Sequence, residues 1–117
     1  MRRAQFERIV DEALEELPEW VIDVVENLHV VVENWPTRDQ DPEDHGILGI
    51  YEGVSLLERG VDYSGFLPDR IVVFMGPHLD MSPSRGELRA EIRRTVLHEV
   101  AHHLGIDDDR LTELGWD

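Results

Sequence analysis

Apolar residues recur at helical spacing from the start of the chain. Phe6, Ile9, Val10, Ala13, Leu14 and Leu17 share one face, while Glu7, Asp11, Glu12, Glu15 and Glu16 take the other. The pattern predicts an amphipathic helix with a solvated acidic face, ending near Pro18, whose ring cannot continue it. Pro18 suits the first turn of a second, shorter helix. There Val21, Val24, Val25 and Leu28 repeat the spacing, and Trp20 is expected to pack at its edge.

The signal then changes. His29-Val30-Val31-Val32-Glu33 is a run of β-branched residues closed by Asn34 and Pro36, and reads as a buried strand with a structural histidine at its start. Residues 35–46 are polar, with Pro36, Pro42, Asp39, Asp41, Glu43 and Asp44, and read as an exposed loop carrying a solvated His45. Ile47 to Glu52 reads as a second strand, in which Gly49 marks a bulge or a close backbone approach. Turns or a loose hairpin are expected between Gly53 and Asp69. Arg70 to Met75 forms a third strand as apolar as the first, stopped by Gly76-Pro77, which leaves His78 in a loop.

Ser84-Arg85-Gly86-Glu87 fits a capping box. The helix it opens runs to about Leu104. Placed at about 100° per residue, Ile92, Val96, Leu97, Val100, Ala101 and Leu104 form a broad core face. Glu91, Thr95, His98 and His102 form a separate stripe, and His103 falls near Ile92 and Val96, as a packed histidine or one that supports the ligands rather than a ligand itself. A short terminal helix follows, in which Leu111 and Leu114 can pack on the domain.

Composition narrows the classes of function. The 117 residues are expected to form one domain, spanning 1–117. A formal charge of −15 speaks against nucleic acid and anionic membranes as partners, because both require a basic surface. With no cysteine, disulfides and thiolate zinc sites are excluded. Met1-Arg2-Arg3-Ala4 runs into an acidic amphipathic segment, so neither a signal peptide nor a membrane span is read. A cytoplasmic location is expected.

The chemistry concentrates at the end of the long helix. His98-Glu99-Val100-Ala101-His102 is a His-Glu-x-x-His motif. Four residues advance a helix by slightly more than one turn, so the two imidazoles lie on one face and can share one metal ion, most simply Zn²⁺. Glu99 is turned by about 100° from His98, beside the metal, where a carboxylate can take a proton from water. A catalytic zinc normally takes three protein ligands. Gly105 sits where the helix would end in a left-handed residue, and a turn there can bring Asp108 back under the imidazoles. Asp107 and Asp109 stay open as alternatives, since an acidic triplet also suits a helix start.

The full pattern, HExxHxxGxxD, resembles the zincin metallopeptidases. Thr95-Val96-Leu97 before it and Asp109-Arg110-Leu111 after it resemble the small bacterial zincin-like metallopeptidases, or minimal zincins. The region of Leu17-Pro18, the run Leu48 to Gly53, the run Leu67 to Ile71, and Leu114-Gly115 extend the likeness over most of the chain. The resemblance implies one Zn²⁺ per chain held by His98, His102 and Asp108, with Glu99 as general base in the hydrolysis of a peptide or protein substrate. It also implies an edge strand above the metal that can pair with an extended peptide, for which Ile47 to Glu52 is the candidate. The larger metzincins carry a methionine turn after the third ligand, whereas Met1, Met75 and Met81 all precede the motif. The floor beneath this metal is therefore of another kind.

The expected fold is α+β: a small mixed sheet of three or four strands with the His98 helix packed on one face. Tyr51, Tyr63, His45 and His78 are candidate donors to a tetrahedral oxyanion, none favoured. An aspartate ligand should make the ion a somewhat weaker Lewis acid than a histidine would. The rival to a zinc peptidase is a metal-binding or peptide-binding module with little turnover, since 117 residues leave little chain to enclose a substrate.

Overall fold

Strand β3 (Arg70–Phe74) forms the middle of a three-stranded mixed sheet. On one side it pairs in parallel with β1 (His29–Glu33), from His29 opposite Arg70 to Glu33 opposite Phe74. On the other it pairs antiparallel with β2 (Gly49–Glu52), from Gly49 opposite Val73 to Glu52 opposite Arg70. The structure is a computed structural model that describes residues 1–26, 28–53, 69–81 and 84–114. The segment read as turns or a hairpin, with Tyr63, lies outside the described residues, as do the side chain of Leu114 and Gly115.

The two apolar strands look alike in sequence and differ in place. Ile71, Val72, Val73 and Phe74 of β3 are fully buried. In β1 only Val32 is buried and His29 is exposed, so β1 is an edge strand rather than the buried one expected. Among the described residues β3 alone has a strand along both of its edges, which leaves β1 open on one side.

Helix α1 (Arg3–Glu15) buries Phe6, Ile9, Val10 and Ala13, the face its spacing predicts. Its acidic side is more than a solvated face: Glu12 accepts from Arg85 at 2.9 Å and Glu16 pairs with Arg89 at 3.1 Å. These pairs are solvent-exposed and worth at most about 1 kcal/mol each. Helix α2 (Glu19–Glu26) buries Val21 and Val25. Trp20, expected to pack, is 47% exposed, one residue around the helix from the buried face.

Gly76-Pro77 ends β3 but starts a helix, α3 (Met75–Met81), instead of the expected loop. Proline suits a first helical turn, where its missing N–H has no intrahelical role. Gly76 leaves room for the Trp35 ring, which a Cβ would overlap. His78 is accordingly a buried core residue, not a loop residue at the mouth of a site.

Helix α4 (Arg85–His103) starts at the predicted cap, with Ser84 Oγ accepting from the Glu87 amide at 3.2 Å, the serine half of the expected capping box. Leu88, Ile92, Val96 and Val100 form its buried face against α1 and the sheet. It ends in a Schellman motif. Gly105 has φ +82°, its amide bonds to His102 O, and the Ile106 amide bonds to Ala101 O at 2.8 Å. Helix α5 (Asp108–Leu114) then packs Leu111 into the interior. Among the described residues no helix is long and apolar enough to cross a membrane.

Candidate metal centre and its groove

One turn of α4 supplies both histidines. The rings of His98 and His102 stand edge-to-face with centroids 4.5 Å apart. The left-handed turn at Gly105 returns the chain beneath them, so that Asp108 Oδ1 lies 3.4 Å from His98 Nε2 and 3.3 Å from His102 Nε2. These separations suit a metal site: two ligand atoms about 2.0–2.1 Å from one tetrahedral zinc stand about 3.3–3.4 Å apart. Asp108 thus stands at ligand spacing from each imidazole, which fits the ion that the motif suggests.

The three neighbouring aspartates are sorted by the helix they start. Asp107 Oδ1 accepts from the Arg110 amide at 2.8 Å and caps α5. Asp108 occupies the first helical position and turns toward the histidines. Asp109 is exposed.

Glu99 also falls within ligand range. His98, Glu99 and His102 each offer an atom within 4.8 Å of the others. Its environment sets it apart from Asp108, however. Glu99 is 6% exposed, and its Oε1 accepts from the Tyr51 amide at 3.0 Å and from His102 Nδ1 at 3.0 Å. The bond from Nδ1 leaves Nε2 of His102 facing Asp108, which is the orientation a metal ligand needs. In the metal-free chain this hydrogen bond to Glu99 is the largest influence on His102. Burial opposes it, while the charge of Glu99 and the contact with Asp108 add to it, and the imidazole is raised to about 9.

Beside these residues runs a groove of about 370 Å³, lined by residues 46–49 on one wall and by Glu91, Arg94, Thr95, His98 and Glu99 on the other. Its first wall is the entry to β2, the edge strand expected there. Phe74 donates to Leu48 O, so Leu48, Ile50 and Glu52 direct their backbone groups to β3, and Gly49 and Tyr51 direct theirs outward. The Tyr51 amide meets Glu99, which leaves Gly49 as the outward ladder position beside the groove. Gly49 is a close approach, as its place in a strand suggested. A Cβ there would stand 2.6 Å from Thr95 Cγ2 and 2.9 Å from Val72 O.

The wall before β2 is held by Asp41, one of the acids expected in an exposed loop. It is buried, and its carboxylate accepts from the amides of His45, Gly46 and Ile47. The His45 amide leads in holding its pKa below the usual carboxylate value, against burial. A lone aspartate in a polar loop carries no sign of this in sequence.

Among the described residues, His78, His103, Tyr51 and His45 have partners of their own. His78 Nδ1–H donates to Phe74 O at 2.9 Å, so Nε2 accepts from Thr95 Oγ1 at 3.0 Å. Burial pushes His78 below its ordinary value and keeps it neutral. His103 is packed, as expected, against the Tyr51 ring. The Tyr51 hydroxyl donates to Asp69 Oδ2 at 2.9 Å, and His45 is exposed beside Glu43. Of the oxyanion candidates, His45, His78 and Tyr51 are not among the groove-lining residues.

Two comparisons with known proteins bear on the family and the fold. The sequence profile of the zincin-like metallopeptidases matches residues 25–116. The solved structure of a conserved hypothetical protein (TTHA0227) from T. thermophilus is 27% identical, with a TM-score of 0.57, covering 99% of this chain and 100% of its own. No curated protein matches.

Proposed function

The chain belongs to the zincin-like metallopeptidase family, and on that premise we propose that it is a zinc-dependent peptidase. His98, His102 and Asp108 hold one ion, and Glu99 is the general base. The observation that carries this reading is the position of Asp108 Oδ1, 3.4 and 3.3 Å from the two Nε2 atoms. Zinc in such a site makes water acidic near neutrality and polarises a carbonyl.

The chain's own residues would do the rest. Glu99, in the wall of the groove, takes a proton from the attacking water and returns it to the leaving amine. The Tyr51 amide and His102 Nδ1–H hold its Oε1, which orients the carboxylate. An extended peptide lies along β2, bonded to the outward groups of Gly49, with its side chains between Ile47–Leu48 and α4. This edge is short, so the backbone contributes few hydrogen bonds and the substrate is expected to be a peptide or an extended segment of a protein.

One observation favours the rival reading of a binding module with little turnover. The Oε1 of Glu99 is already engaged by two donors, as befits a carboxylate that merely orients His102. Replacing Glu99 by Gln separates the two. The expected result is one retained zinc per chain by metal analysis, together with a loss of several orders of magnitude in cleavage of a peptide library. Unchanged cleavage would remove Glu99 from the mechanism, and no cleavage by the parent chain would leave the module.

A further inference from the structure

Every fourth residue of one α4 stripe touches β2. Thr95 lies against Gly49, Glu99 accepts from the Tyr51 amide, and His103 Nδ1 lies 3.1 Å from the Tyr51 hydroxyl. The stripe is polar yet buried, with Thr95, Glu99 and His103 all at 7% exposure or less. Buried polar groups are costly unless each is bonded, so the stripe is built for something other than packing.

The bonds form a sequence that ends at the metal ligands. The Tyr51 hydroxyl donates to Asp69 Oδ2, which also lies 3.2 Å from His103 Nδ1. The proton of the phenol goes to the carboxylate, so Nδ1 of His103 carries its own. Asp69 directly precedes β3, and His103 lies on α4. The phenol therefore ties β2 at once to the central strand and to the metal-site helix. The backbone amide of the same tyrosine bonds Glu99 Oε1, which accepts from His102 Nδ1. β2 is four residues long and sits at the sheet edge, so β3 alone does not fix its height over α4.

We propose that Tyr51 is a positioning residue for the metal site, anchored by Asp69 and His103 so that its amide holds Glu99 against His102. The inference rests on the reading of that site as metal-binding only in its zinc arm. It also gives the Tyr51 hydroxyl a task that excludes oxyanion stabilisation, because its proton is directed at Asp69.

The test compares Tyr51→Phe with Val21→Ala, a core variant outside the groove, in the metal-free chain and with zinc. In the metal-free chain the His102 Nδ1–H proton should give a slowly exchanging NMR resonance through its bond to Glu99. That resonance should be lost in Tyr51→Phe and in Glu99→Ala, and retained in Val21→Ala. Zinc affinity, read against a chelator at fixed pH, should fall about tenfold in Tyr51→Phe, the scale for partners that orient ligands. The same change should have almost no effect in a Glu99→Ala background, because Tyr51 acts through Glu99. Asp69→Asn keeps the ring, and stands in under the same criteria should Tyr51→Phe fail to fold. A resonance that persists in the variant, or equal zinc losses in both backgrounds, overturns the proposal. Loss of the resonance in a chain that binds no zinc leaves the positioning role standing and removes the metallopeptidase reading instead.

Discussion

Asp108 Oδ1 stands 3.3 Å from His102 Nε2, although α4 ends and α5 begins between the two residues. The reversal depends on Gly105 at φ +82°. A β-branched side chain resists that conformation. Gly105→Val is therefore expected to cost about 1–3 kcal/mol of stability and also to weaken zinc binding without removing a ligand. Thermal unfolding and chelator competition on the same sample check both effects. Unchanged zinc affinity would mean that Asp108 does not reach the metal through this turn.

The three aspartates should separate by assay. Asp108→Ala should lower zinc affinity roughly 100-fold or more, since groups that only orient ligands are already worth 10–100-fold. Asp107→Ala removes the cap on the Arg110 amide and should cost about 1 kcal/mol of stability with a small change in affinity. Asp109→Ala should do little to either. Equal affinity losses in all three would mean a diffuse acidic cluster in place of a ligand.

Above neutrality, stability of the metal-free chain should fall as pH rises. His102 is raised to about 9 in the fold, from an ordinary value of 6.5. Its contribution is therefore complete below about pH 6.5 and is lost as pH climbs through 9. Buried His78 acts with the opposite sign: its pKa is lowered, so its contribution is full above 6.5 and declines on acidification. A shallow maximum near neutrality is expected for the metal-free chain. Zinc affinity should instead rise with pH, because a proton must leave His102 Nε2 first. Melting temperatures across this range, with and without zinc, check the divergence. A metal-free chain that gains stability from pH 7 to 9 would contradict the Glu99–His102 pairing.

Gly49→Ala should separate β2 from α4. The added carbon meets Thr95 Cγ2 at 2.6 Å, an overpacking expected to cost about 1–3 kcal/mol. Thr95→Ser removes that methyl and keeps the hydroxyl for His78, so it should partly rescue the variant. Rescue stays partial because Val72 O remains 2.9 Å away. Denaturant unfolding of the two single variants and the double variant measures the coupling, and additive losses would place the strain elsewhere.

Much of the site was legible in the sequence because its spacing is helical arithmetic. His98 and His102 share a face at any four-residue interval, and Gly105 announces the left-handed end that returns Asp108 beneath them. Helices α1, α2 and α4 followed from apolar spacing for the same reason, and a glycine inside a strand marked Gly49 as either a bulge or a close approach, of which the second holds. What tertiary structure alone decided concerns neighbours distant in sequence. Val30–Val32 and Ile71–Val73 are interchangeable by composition, and only the pairing order puts the second run at the centre. His78 sits in a segment whose Gly-Pro reads locally as a stop, yet room for Trp35 and a bond to Thr95 make it the core of a helix. Asp107 became a cap and Asp108 a candidate ligand when α5 took its register. Tyr51, Asp69 and His103 meet across up to 52 positions of chain. No local pattern encodes such a meeting, because the energy that joins them arises only once water has been excluded from between β2 and α4.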